Sequence, residues 1–273
     1  MPSAEARDVD GFATPVTTGF PVEVEALPRH WLLASLGKTV LHPGGPELTE
    51  RILNQLRSRR SGDIFEIAPG LGVTAQLTLE RQPYGYTAVK WDDGTAPDES
   101  RSRTRPRLRH TSPSVENVGL PNRSFTIVYK EAILTMRTQQ MKFKILCESN
   151  RILQPGGWFG VHELCIAPSA SEQIRCDIER RLAIELGAGI RPLMSTEWRS
   201  LFGRAGFQVL WEGRAPMQVS ESPRMVTGTR LGGAFRLLCN VFRDDHSRSV
   251  RAVLCSYRDY LEAVAFVCRK EMA

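Results

Sequence analysis

Short apolar runs alternate along the chain with longer stretches in which apolar residues recur every third or fourth position. This is the pattern of single strands separated by single helices. It predicts strands over 63–67, 84–91, 124–130, 158–165, 206–211 and 261–269, with a further short one near 107–110. Helices are predicted over 47–57, 73–80, 138–153, 171–186, 196–205, 224–241 and 244–260. In the first helix Leu48, Ile52, Leu53 and Leu56 share a face, and in the third Met141, Ile145, Leu146, Ser149 and Ile152 do. Gln154-Pro155-Gly156-Gly157 ends that helix with a turn, because proline removes an N–H donor and glycine admits a left-handed backbone. This alternation of strands with helices predicts an α/β fold, a parallel sheet with helices on both faces. Ligands in such sheets lie at the carboxyl ends of the strands. The mainly helical segment before the last strand predicts an inserted helical cap. The chain divides accordingly into an N-terminal arm and helix (1–60), a core (61–212), the cap (213–260) and the final strand with the C-terminus (261–273).

Composition narrows the classes. With 273 residues and 41% hydrophobic content the chain can bury a substantial core. The first residues are polar and the longest apolar runs, such as 263–268, are far too short to span a bilayer, so a soluble, cytoplasmic protein without a membrane partner is expected. Six cysteines at 147, 165, 176, 239, 255 and 268 form no Cys-x-x-Cys pair and no metal-ligand spacing, which predicts free thiols in the core and no metal site. Much of the formal charge of +6 sits on Arg101, Arg103, Arg105, Arg107 and Arg109. No aromatic residues interleave with these arginines to stack on bases, so a solvated loop is favoured over a nucleic-acid surface. Leu36-Gly37-Lys38-Thr39 looks like the end of a phosphate loop, but that motif needs glycine where Leu32 stands, and it is rejected.

The chemistry concentrates in 63–75, Asp-Ile-Phe-Glu-Ile-Ala-Pro-Gly-Leu-Gly-Val-Thr-Ala. A buried strand runs into a turn holding Gly70 and Gly72, then into a helix whose first N–H groups face the turn. Glycine leaves the backbone open to a nucleotide-like ligand there.

Several stretches in order resemble the class I S-adenosylmethionine-dependent methyltransferases, particularly their small-molecule, type 11-like branch. They are Glu66-Ile67-Ala68-Pro69-Gly70-Leu71-Gly72, Gly119 to Tyr129, Arg151 to Phe159, and Trp198 with Ala205-Gly206-Phe207, together covering about 60–211. The resemblance implies a Rossmann-like, doubly wound seven-stranded sheet with a reversed last strand and S-adenosylmethionine over the glycine turn. It implies a cofactor site drawn from Glu66, Ala68, Gly70 and Gly72, with Lys90, Trp91 and Asp92 at the end of the second strand, and Asn117 and Lys130 beyond it. The sequence departs from the pattern at Lys90, Ser114 and Thr126, where acidic residues are usual; losing the ribose carboxylate would cost about 1.5 to 3 kcal/mol.

Methyl transfer to a small-molecule acceptor needs alignment more than a nucleophile. A base is needed only where the acceptor loses a proton, and Glu131, His162 and Glu163 stand as candidates at strand ends. Two alternatives remain. Gly70-x-Gly72-x-x-Ala75 with Lys90 also fits an NADP-dependent oxidoreductase. The three departures also suit a non-catalytic binding or regulatory protein of the same fold. The acceptor is not readable, and the oligomeric state is open, a homodimer included.

Overall fold

The computed structural model describes residues 44–56, 62–67, 73–89, 107–108, 116–186, 189–217 and 245–272. Its strands are β1 (Asp63–Ile67), β2 (Gly85–Val89), β3 (Arg107–Leu108), β4 (Phe125–Glu131), β5 (Leu153–Ile166), β6 (Leu193–Met194), β7 (Phe207–Pro216) and β8 (Leu261–Lys270). Its helices are α1 (Gly45–Gln55), α2 (Val73–Glu80), α3 (Gln139–Ile152), α4 (Glu172–Leu186), α5 (Ser195–Arg204) and α6 (Asp245–Ser256).

Seven strands follow the order β3-β2-β1-β4-β5-β8-β7, with β6 paired to β5 off that path. The strands from β3 across to β5 are parallel to their neighbours, while β8 is antiparallel to both β5 and β7. The expected seven-stranded sheet with a reversed last strand is therefore present. β6 went unread because two residues carry no period.

From β1 the chain winds outward through β2 and β3, and it returns to the other side of β1 with β4. The strand order thus reverses between β1 and β4, where the crevice of such a sheet opens.

Alternation along each strand separates two cores. Phe65, Ile67, Val128, Phe159, Val161 and Phe266 pack with Ile145 and Leu146 of α3 and Trp198 and Phe202 of α5. Ile64, Tyr86, Ala88, Ile127, Tyr129 and Ala265 pack on the opposite face with Leu48 and Ile52 of α1. On the first face Phe159 stacks on Phe207 at 4.6 Å and Phe202 meets Phe266 edge-on at 5.1 Å. Each fully buried side chain of this size contributes about 1.5–3 kcal/mol. Past the end of β4, Leu164 and Ile166 of β5 join Ile178 and Leu182 of α4 with Val250 and Leu254 of α6 in a third cluster.

Three boundaries differ from the sequence reading. The Gln154–Gly157 turn lies inside β5, as an excursion between the pairs Phe125↔Leu153 and Ile127↔Trp158, with Gly156 at φ +66°. A Cβ on Gly157 would stand 2.9 Å from the Gln154 carbonyl, so the close approach requires glycine. β7 runs past 211 to Pro216 and so crosses the boundary drawn at 212. At the sheet edge its Glu212 and Arg214 pair with each other and with Arg199 and Glu262. α6 ends at Ser256, four residues short of 260.

Of the cysteines, Cys165 and Cys268 are core residues, whereas Cys147, Cys176 and Cys255 are exposed; all five are free thiols. Among the described residues no helix is long and apolar enough to cross a membrane, and no group of three or more His, Cys, Asp or Glu is placed to hold a metal.

Candidate functional site

Polar residues gather where β1 and β4 end. Glu66 lies on β1 beside Tyr129 of β4 and Ala88 of β2. Glu131 closes β4 opposite His162 of β5. Period-two alternation sends Glu66, Tyr129, Glu131 and His162 to the face covered by α1 and α2. Glu66 and Glu131 are 2% and 7% exposed, and His162 is fully buried.

Hydroxyl groups satisfy the two carboxylates. Tyr86 donates a short hydrogen bond to Glu66. Glu131 accepts from Thr74 of α2 at 2.6 Å, from Thr49 of α1 at 3.1 Å and from Tyr129 at 3.3 Å. Both tyrosines are held far above their ordinary range, first by burial and then by the carboxylates beside them, so they stay neutral donors. His162 Nδ1 stands 3.0 Å from Glu131 Oε1, yet the approach is not that of a hydrogen bond, and among the described residues neither ring nitrogen has a hydrogen-bond partner.

The neighbouring residues in sequence face the other way. Lys130 is fully buried on the α3 face, donates to Ser149 at 3.2 Å and lies 4.8 Å over the Phe159 ring. Burial pushes its ammonium down to about 7, against the opposing pull of Glu163. Glu163 is also fully buried, and its oxygens accept from the Leu134 and Thr135 N–H groups at 2.8 Å and from the Thr135 hydroxyl at 2.6 Å. Burial raises its pKa, and these donors with Lys130 oppose the rise.

The sequence grouped His162 with Glu163 at a strand end. The structure puts them on opposite faces, and β5 continues four residues beyond His162's pair with β4, to Ile166. Asn117 is exposed on the segment that Val118 ties to Glu148 of α3 at 2.8 Å. Glu66, Glu131 and His162 therefore share one site, while Lys130 and Glu163 belong to the layer beneath it. Ala68, Gly70, Gly72, Lys90, Trp91, Asp92 and Ser114 lie outside the described residues, as do the arm, the 224–241 helix and the arginine-rich stretch apart from β3.

Sequence reasoning missed Thr49, Thr74, Tyr86 and Tyr129, the donors that hold the two acids. Period two offered a signal for one of them, since Tyr129 stands between Ile127 and Glu131 on the same face. Thr49 lies beside Leu48 on the buried side of α1 and is itself fully buried.

No protein-family model matches the chain. A protein of Haemophilus influenzae described as uncharacterized is 20% identical over 242 residues, covering 87% of this chain and 95% of its own. Solved structures share the fold at lower identity. The 4+2 cyclase SpnF superposes with a TM-score of 0.58 at 15% identity, over 89% of this chain and 92% of that one. A Galdieria sulphuraria protein provisionally described as a sarcosine dimethylglycine methyltransferase gives 0.60 at 12% identity, over 84% and 86%. The Haemonchus contortus phosphoethanolamine N-methyltransferase 2, in complex with phosphomonomethylethanolamine and S-adenosylhomocysteine, gives 0.56 at 12% identity over 90% of this chain and 61% of its own. The sheet order, the reversed β8 and the crevice between β1 and β4 thus give this chain the Rossmann-like fold of the methyltransferases among these structures.

Proposed function

We propose that the chain transfers a methyl group from S-adenosylmethionine to a small-molecule acceptor, in the manner of the type 11-like branch its motifs resemble. One observation carries the reading: two buried carboxylates, Glu66 and Glu131, stand at the switch point of the sheet on the face covered by α1 and α2. The donor chemistry fits this cofactor, whose sulfonium and ammonium are cationic, better than a dinucleotide, whose phosphates would meet two acids. The NADP alternative loses ground for that reason, and the non-catalytic alternative rests on the departures at Lys90, Ser114 and Thr126 alone.

Bound S-adenosylmethionine would supply a methyl group already carried by a good leaving group. The chain's residues do the rest. Glu66, fixed by Tyr86, binds the positive end of the cofactor. Glu131 is oriented by Thr49, Thr74 and Tyr129, and as the more exposed member of its pair it meets the acceptor and takes the proton that an acceptor hydroxyl or ammonium loses. His162 behind it receives that proton at Nδ1. General-base help of this kind contributes about 10²–10⁴-fold.

Calorimetry with S-adenosylmethionine, S-adenosylhomocysteine and NADP tests the reading. Binding of the two sulfur compounds at micromolar concentration and none of NADP is expected. Binding of NADP alone, or of neither sulfur compound at high micromolar concentration, overturns it.

A further inference from the structure

The segment from Ala132 to Thr138 leaves β4 immediately beyond Glu131, at the carboxyl end of the strand. Its backbone is not relaxed. Ala132 is left-handed at φ 50°, a conformation disfavoured for a non-glycine residue and kept where the surroundings impose it. What imposes it comes from below. The Ala132 N–H donates to the His162 carbonyl at 2.7 Å. Two residues on, the consecutive N–H groups of Leu134 and Thr135 each donate to one oxygen of Glu163, and the Thr135 hydroxyl donates to the second of those oxygens. Consecutive backbone N–H groups that donate to the two oxygens of one carboxylate form an anion-binding site of the main chain. The same hydroxyl accepts from the Leu164 N–H at 3.2 Å, which locks the loop to β5.

A second buried charge ties this loop to the next. Lys142 of α3 donates to the carbonyls of Arg137 and Arg191 at 2.7 and 2.8 Å, and the Arg191 N–H donates to the Thr135 carbonyl at 3.1 Å. Two loops at the carboxyl end of the sheet, 132–138 and 190–192, therefore hang on two fully buried ionisable side chains. Neither Glu163 nor Lys142 faces the crevice, so neither is placed to touch a ligand.

We propose that Glu163 is a positioning residue: its carboxylate shapes the 132–137 backbone that forms the acceptor side of the crevice, and Lys142 joins that loop to the one before β6. That this loop serves an acceptor rests on the methyl-transfer reading; that Glu163 holds its shape does not. Both oxygens of Glu163 accept hydrogen bonds from N–H or O–H donors, so the amide of glutamine, with one acceptor in place of two, cannot replace it.

Amide hydrogen exchange on the full-length protein, with and without S-adenosylhomocysteine, separates the two claims. In Glu163→Gln the Leu134 and Thr135 amides should exchange about tenfold faster or more, as expected for loss of a hydrogen bond to a charged group, while the Val264 and Phe266 amides of β8 keep their protection. Thr135→Val, which keeps the carboxylate and both N–H donors, should free the Leu164 amide and change Leu134 by less than about threefold. Unchanged exchange at Leu134 and Thr135 in Glu163→Gln overturns the proposal, and so does an equal loss of protection throughout β8. If Glu163→Gln does not fold, Glu163→Asp, which keeps the charge but shortens its reach, decides: faster exchange confined to Leu134 and Thr135 supports the proposal, and none or a global loss overturns it. Failure of S-adenosylhomocysteine to bind the wild-type protein counts against the methyl-transfer reading alone, because the exchange pattern is read without it.

Discussion

Glu131 and Glu163 are carboxylates on neighbouring strands, and the sheet gives them opposite work. Glu131 looks toward α1 and α2, is held by hydroxyls that belong to three different elements, and keeps a small exposed surface. Glu163 looks toward α3, is fully enclosed, and spends its oxygens on the backbone of a single loop. Hydroxyls can rotate away from a carboxylate that must move or take a proton, whereas consecutive backbone N–H groups cannot leave without remaking the loop. The crevice face is thus built from adjustable contacts and the α3 face from fixed ones, and a site that binds and releases ligands uses both.

Lys130 offers the largest test of the fixed face. Burial holds its ammonium at about 7, below the ordinary 10.5, with Glu163 opposing the shift. The unfolded chain therefore binds more protons than the folded one between those values, so stability is lowest below pH 7 and rises as pH goes from about 7 to 10.5. The ceiling for this rise is about 5 kcal/mol. Lys142, held down to about 8 by burial, adds to the slope only above that value. Urea denaturation at pH 7, 8 and 10 should show the rise in the wild type, and Lys130→Met should flatten the part between pH 7 and 8. An unaltered slope would mean that the α3 face carries no buried charge of this kind.

Trp198→Ala comes next. The indole is fully buried between α5 and the sheet, donates to the Leu164 carbonyl at 3.1 Å and stacks near Phe202. Removing it should cost about 3–5 kcal/mol in the same denaturation experiment. A loss below about 1 kcal/mol would show a face able to collapse around the cavity, and so not a rigid one.

The sheet was legible because its central strands are buried on both faces and read as short apolar runs, from Phe65 and Ile67 through Val128 to Phe266. Glu66 and Glu131 were legible as acids at strand ends. The direction of each side chain was not, since in His162-Glu163 either residue could have faced the crevice until the pairing of His162 with Glu131 fixed the phase. Lys130 and Lys142 were invisible as core residues, because lysine is rarely enclosed. Thr74 had the same problem in another form: on α2 it looks like one more surface threonine until Glu131 of a distant strand claims its hydroxyl.

On the adjustable face, Glu66→Gln keeps an acceptor for Tyr86 and removes the charge. S-adenosylmethionine affinity measured by calorimetry should fall about ten- to a hundredfold, the value of a charge-assisted contact. An unchanged affinity would place the cationic end of the cofactor elsewhere and leave Glu131 as the only acid of the pair with a claim on the ligand.

Thr49→Val should have the smallest effect. The substitution keeps the shape of the side chain on α1 and deletes the hydroxyl that reaches Glu131 at 3.1 Å, while Thr74 and Tyr129 continue to donate to the same carboxylate. Because Glu131 remains partnered, the loss should stay near 0.5–1.5 kcal/mol, the net worth of one hydrogen bond and not the penalty of an orphaned buried charge. Urea denaturation gives the size of the loss, and hydrogen exchange along α1 shows where it falls. If Thr49→Val cost as much as Trp198→Ala, the contacts around Glu131 would form a cooperative network as unyielding as the α3 face. A loss confined to α1 would instead show that the helix over the crevice can loosen while the loops fixed from below keep their shape.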